Sequence, residues 1–342
     1  MLCCANCFGD LFLNKRIPEM SEQTGVCDVC LTPNTPLVQP ESLREYFQSV
    51  CSIYSEDNGV DAELLVTWFQ RDWEIFTAFD PLKAQTLLGE ILDDGEVVRK
   101  KHLPRNIPEL AAVEKWTSFR DEIICKNRFF FKHELDLDLL NWLFSNLAGD
   151  DSIFAGSLYR ARIQTEDSPI PIDEMGKPAA ACAKNGRANP VGIPYLYAAS
   201  TPETAIAETR PHPGDLLSVA KFSVTEPLKL LNLQHPRKTI SPFLFVNEEA
   251  LSVMRDNLDF LCHLGSELSK PILPRVADLE YLPTQYLCEF IKNCGYDGVV
   301  FMSSIGIDAN IALFDDSKVQ PVELNQYEVT SVHYDQIKLV TT

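Results

Sequence analysis

A chain of 342 residues, 45% hydrophobic and with a formal net charge of −19, is long enough for two packed domains and too apolar for a disordered segment. This acidity opposes nucleic-acid binding, which needs clustered Lys and Arg, and the one short basic stretch, VVRKKHLPR at 97–105, reads as solvated surface. No run approaches the roughly 18–20 apolar residues of a membrane span, and no basic region followed by an apolar stretch opens the chain, so no membrane partner and a cytoplasmic location are expected.

Eleven cysteines are present, five of them within the first thirty residues. Cys4 and Cys7 form one C-x2-C pair, and Cys27 and Cys30 form a second. Each pair makes a knuckle that turns two thiolates toward one point, and two knuckles complete a tetrahedral S4 shell. Structural zinc is therefore expected on Cys4, Cys7, Cys27 and Cys30, with Cys3 as a substitute for Cys4. A closed four-thiolate shell leaves no open position for catalysis, so this metal would fold a segment too small for its own core.

The next segment, 38–149, reads as helical. SLREYFQSVCSIY spaces Leu43, Tyr46, Phe47, Val50, Cys51 and Tyr54 by threes and fours into an apolar stripe. DPLKAQTLLGEIL opens with Asp80 as N-cap and Pro81 at the first helical position. Trp68, Phe69, Trp73 and Phe76 read as core. Arg128 and His133 are separated by the four residues FFFK, whose three Phe read as a buried strand or extended connector leading into a helix over 136–147.

From about 150 the pattern changes to short β-like runs, SLYRARI, IPYLYAAS, LLSVAKFSV, LKLLNL, YDGVVFMSS and NIALFD, interrupted by helical stretches at 203–210, 247–264 and 284–294. A mixed α/β domain with much antiparallel pairing is expected. The segment contains neither the Gly-rich fingerprint of a dinucleotide fold, nor a P-loop, nor a nucleophile elbow. It does contain a dispersed polar set. Arg160 and Arg162 share one face of a strand, Arg187 lies in the loop NGRANP, and Tyr197 closes a strand. Glu208 and Arg210 end a helix, while Ser303 and Ser304 follow a strand. Arg forks suit phosphate oxygens, Tyr stacks on a planar ring, and a carboxylate stabilises an oxocarbenium-like centre. Together these groups suit NAD.

LYRAR, GRANPVGIPYLYAASTPETAIAETRP and GYDGVVFMSS followed by NIALF resemble, in that order, the motifs of the RES domain, over about residues 153–325. The zinc knuckle and helical segment resemble the HEPN/RES-type extension found ahead of some such domains. The resemblance implies an α+β protein in three parts: a zinc knuckle at 1–37, a helical HEPN-like domain at 38–149 and a RES catalytic domain at 150–342 similar to the ADP-ribosyltransferase fold. It implies a toxin of a bacterial toxin-antitoxin system that cleaves the nicotinamide-ribose bond of NAD and passes ADP-ribose to water, phosphate or a protein. A separate antitoxin, often of Xre type, would be its partner. By this resemblance Arg160, Arg187, Tyr197, Glu208 and Ser303 are catalytic, and Arg160, Arg162, Arg187, Tyr197 and Asn310 bind the dinucleotide. Two alternatives stand beside it: a zinc-stabilised nucleotide-binding interaction module, and a HEPN-type ribonuclease using Arg128 and His133. The sequence leaves homo-oligomer formation open.

Overall fold

The computed structural model describes residues 1–105, 112–148, 153–154 and 156–333. The chain packs as two compact units, Met1–Lys115 with His235–Cys262 and Trp116–Gln234 with His263–Thr342. This partition follows packing rather than chain order. Residues 235–262 lie within the expected third domain yet cluster with the N-terminal unit, because Arg237 bonds the carbonyls of Arg71 and Asp72, and Arg255 Nε reaches Asp72 Oδ2 at 2.9 Å.

In the first unit, α1 (Leu11–Met20) is capped by the Asp10 carboxylate, which accepts from the Leu13 N–H. β1 (Gln23–Gly25) pairs antiparallel with β2 (Thr35–Leu37). There follow α2 (Arg44–Cys51), β3 (Tyr54–Glu56), β4 (Glu63–Leu64), α3 (Leu65–Trp73), α4 (Pro81–Leu92) and β5 (Lys101–Pro104). Asp80 caps α4 as its sequence suggests. The aromatic positions expected in the core are there: Phe47 stacks 5.8 Å from Phe76, and Trp68, Phe69 and Trp73 are buried. Two expectations need correction. The segment is not helical throughout, since β5 pairs antiparallel with both β3 and β4, and the apolar stripe leaves its helix at Cys51, so that Tyr54 opens β3. Nor is 97–105 simply solvated surface. His102 is buried, with its carbonyl accepting from Trp68 Nε1 at 2.7 Å.

The second unit takes most of α5 (Ala112–Cys125), then α6 (Leu137–Ala148). The FFF run between these helices is not a buried strand. Glu122 accepts the backbone N–H groups of Lys132 and His133, which bends the chain back as a loop and leaves Phe129 and Phe130 exposed at 83% and 80%. Phe131 packs against Phe119 at 4.9 Å and Tyr286 at 5.6 Å.

Next come β6 (Ile153–Phe154), β7 (Ser157–Ile163), β8 (Leu196–Ala199), α7 (Pro202–Glu208), β9 (Leu216–Val224) and β10 (Leu228–Asn232). After α8 (Pro236–Thr239) and α9 (Glu248–Ser269), the chain continues as α10 (Ala277–Glu280), α11 (Leu282–Asn293), β11 (Gly298–Met302), β12 (Ala309–Leu313) and β13 (Val319–Glu328). The three expected helices are α7, α9 and α11, with α9 running five residues beyond 264 and α7 stopping at Glu208, while the short α8 and α10 were not expected. Among the described residues eight strands form one mixed sheet in the order β13-β9-β7-β8-β12-β11-β10-β6, in which only β10 and β11 run parallel. Leu158, Leu196, Phe222, Leu230, Ile311 and Leu313 make the core of one sheet face, as period-two alternation requires. Among the described residues, no helix is long and apolar enough to cross a membrane.

Candidate functional site

β7 and β8 are adjacent in the sheet but joined through a single residue pair, Tyr159 opposite Ala199. Tyr159–Ala161 of β7 and Tyr197–Ala199 of β8 line a cavity of about 570 Å³, so the cavity sits where the two strands part. This volume lies within the range of about 300–1,000 Å³ typical of small-molecule sites. Arg160, Arg187, Tyr197, Glu208 and Asn310, all singled out from sequence, line it together. Ser303 joins them through Glu208. Arg162 does not line the cavity; it is exposed and donates to the Glu174 carbonyl at 2.9 Å.

Local chemistry explains how each group is placed. Thr201 caps α7 with its side chain, and Pro202 occupies the first helical position. Seven residues later Glu208 ends the helix, where backbone carbonyls present partial negative charge and disfavour an anion. Two donors offset this. Ser303 Oγ donates to Glu208 Oε1 at 2.5 Å, and Asn310 Nδ2 donates to the same oxygen at 2.6 Å. The serine oxygen itself accepts from the Gly306 N–H at 2.7 Å and the Ile305 N–H at 3.1 Å, which directs its proton at the carboxylate. Arg210, expected at the helix end, lies beyond it with a left-handed φ of 51°, a strained conformation for a residue that precedes proline, and also lines the cavity.

The loop that carries Arg187 is held against the wall of β8. Tyr197 Oη accepts from the Ala188 N–H at 2.9 Å and donates to Asn189 Oδ1 at 2.8 Å. Tyr197 is the second residue of β8 rather than its last. Its phenol is raised far above the usual range by burial and stays neutral. Gly186 permits this approach: a Cβ there would overlap Asn189 Oδ1 and come within 2.6 Å of Tyr197 Oη.

The two arginines differ in how they are held. Burial first, then the neighbouring Arg162, lowers the Arg160 pKa to about 10, with Asp316 acting in the opposite direction. It remains charged at neutral pH, and its buried Nη1 has no hydrogen-bond partner among the described residues. A buried cationic donor without an acceptor is costly, and an anionic ligand would supply one. Arg187 is also lowered by burial. Its Nη1 donates to the carbonyl of Lys270 at 2.6 Å, just past the C-terminus of α9, and its guanidinium lies 5.8 Å from the Tyr281 ring. Tyr281 lines the cavity and was not singled out from sequence, because nothing in LEYLPTQYL marks it off from an ordinary helix residue.

In the first unit, Cys4, Cys7, Cys27 and Cys30 gather with all four Sγ atoms within 4.8 Å of one another. Cys4 lies 3.3 Å from Cys30, and Cys7 lies 3.4 Å from Cys27. The backbone N–H groups of Val29 and Cys30 point at Cys27 Sγ, both at 3.4 Å, as in a thiolate-binding knuckle. Cys3 stays outside the cluster, its Sγ directed at the Val38 carbonyl. Arg128 and His133 flank the exposed Phe loop, with His133 Nδ1 2.9 Å from Glu122 Oε2.

The fold and site together make this a mixed α/β protein whose arginine-lined cavity, opened where two sheet strands part, has the size and charge to suit an anionic small molecule. The RES domain model matches residues 157–335, more than half of the chain, and the protein belongs to the RES-domain family. Among solved structures, it is similar to a chain of the crystal structure of the M. tuberculosis MbcT-MbcA toxin-antitoxin complex. The two share 12% identity with a TM-score of 0.31, over 54% of this chain and 92% of that one. Comparison with curated proteins finds no match.

Proposed function

We propose that this protein is an NAD-consuming, toxin-like enzyme that cleaves the nicotinamide-ribose bond. The observation that carries the reading is the convergence of Arg160, Arg187, Tyr197, Glu208 and Asn310, spread over 150 residues of sequence, on one cavity. Arg160 and Arg187 would take the diphosphate, Arg160 with an orphan donor ready for an oxygen. Tyr197 would flank the nicotinamide end. Glu208 would hold the ribose and stabilise its oxocarbenium-like centre as neutral nicotinamide leaves with the bonding electron pair. An acceptor oxygen then bonds to the ribosyl carbon and gives up its proton. Water, phosphate and a protein side chain are the acceptors to be distinguished. Resemblance to the ADP-ribosyltransferase fold and regulation by a separate antitoxin belong to this same reading.

The four cysteines suit structural zinc. Bonds of about 2.3 Å to a tetrahedral ion place sulfurs about 3.8 Å apart, close to the spacing in the cluster.

Purified protein incubated with NAD should release nicotinamide, and Glu208→Ala should not. A fully active Glu208→Ala variant rejects the mechanism, and a parent inert with water, phosphate and protein acceptors rejects the enzyme. Mass spectrometry of the products, separating ADP-ribose, its 1″-phosphate and modified protein, identifies the acceptor.

A further inference from the structure

The Arg187 loop is held on one side by Tyr197 and Asn189, which lie beside it in sequence. On its other side it is held by two residues of α11 that lie almost one hundred positions downstream. Gln285, 5% exposed, directs Nε2 at three acceptors of this one loop: Asn185 Oδ1 at 2.7 Å, the Gly186 carbonyl at 2.8 Å and the Asn189 carbonyl at 3.1 Å. Thr284, 1% exposed, is 2.6 Å from the Arg187 carbonyl itself. These two polar residues interrupt a buried stripe completed by Leu287, Cys288 and Ile291. An apolar residue would fill the position of Gln285 without the cost of desolvating an amide, which is recovered only where the partners are in place. The partners here all belong to the segment that aims Arg187 into the cavity.

We propose that Gln285, assisted by Thr284, is a positioning residue for Arg187: it fixes the backbone from which the guanidinium reaches the dinucleotide. The inference rests on the NAD-site reading for its kinetic consequence but not for its structural one. Loss of the amide removes two N–H donors shared among these acceptors, leaves the Asn189 carbonyl with only the Gly186 N–H, and lets the loop sample positions in which Arg187 no longer meets the ligand. Substrate binding then weakens more than the chemical step, because Glu208, Ser303 and Asn310 are held by other contacts.

The test uses the full chain with Gln285→Leu, which keeps side-chain bulk, and Thr284→Val as a second variant should the first not fold. Nicotinamide release should show the KM for NAD raised about tenfold with kcat changed less than about threefold. In an Arg187→Ala background the same substitution should add less than about twofold. Hydrogen exchange should quicken at the amides of 185–189 while those of β11 keep the parent rate. An unchanged KM with unchanged exchange overturns the proposal. So do full additivity with Arg187→Ala and acceleration spread evenly over the unit. If the parent does not consume NAD, the functional reading fails, and the exchange measurement alone decides whether Gln285 holds the loop.

Discussion

Ser303 donates a 2.5 Å hydrogen bond to Glu208, a residue 95 positions away that ends α7, and so supplies the carboxylate with a donor that its own helix end lacks. Ser303 and Asn310 both address the same carboxylate oxygen, Oε1. Oε1 is thus anchored twice, and on the proposed reading Oε2 is the oxygen that would face the ribose. Ser303→Ala removes one of two anchors and is expected to lower kcat for nicotinamide release by about tenfold, the worth of one charge-assisted hydrogen bond. Glu208→Gln keeps the shape and removes the charge, and should cost about 100- to 1,000-fold.

At Gly186, a methyl group has nowhere to go between Asn189 Oδ1 and Tyr197 Oη. Gly186→Ala is expected to destabilise the protein by about 1–3 kcal/mol in urea unfolding, the usual cost of overpacking, and to reduce NAD cleavage more than tenfold by displacing Arg187. Tyr197→Phe, which removes the hydroxyl but not the ring, should cost about 1–2 kcal/mol by leaving the Ala188 N–H and Asn189 Oδ1 without their partner. A variant as stable as the parent would show that the loop does not depend on this contact.

The cysteine cluster separates Cys4 from its neighbour Cys3. Elemental analysis should find one zinc per chain in the parent and in Cys3→Ser, and less than one in Cys4→Ser or Cys27→Ser. A strong chelator should lower the thermal unfolding midpoint of the parent and leave that of Cys4→Ser unchanged.

Glu122 provides a pH-dependent test of the Phe loop. Backbone N–H groups of His133 and Lys132 hold its pKa down to about 2 from an ordinary 4.5. A depressed carboxylate stabilises the fold fully above its unfolded pKa and loses that contribution as pH falls through the folded one. Urea unfolding should therefore show Glu122→Gln less stable than the parent at pH 6, with the gap closing between about pH 4.5 and pH 2. A gap that does not change with pH would mean the charge is not what holds the loop.

Much of this was legible in the sequence because it depends on local chemistry. The C-x2-C pairs and the Asp80-Pro81 helix start act within a few residues, and each stands where its spacing puts it. The order of the RES motifs located most of the cavity wall. The errors arose where a distant partner overrules local pattern. The apolar FFF run suggests a strand until Glu122 takes two of its neighbouring amides and turns it into an exposed loop. A basic run reads as surface until β3 and β4 pair with it and bury His102.

Arg160 and Arg162 illustrate the division most sharply. The sequence by itself determined that both arginines share one strand face, since side chains alternate with period two. Only the tertiary structure decided that Arg160 enters the cavity with a donor unpaired among the described residues, while Arg162 is spent on the Glu174 carbonyl. The parting of β7 from β8 and the reach of Gln285 to the Arg187 loop were decided in the same way. Such contacts depend on which strands and helices pack together, and that is set by burial across the whole unit rather than by any short stretch of chain.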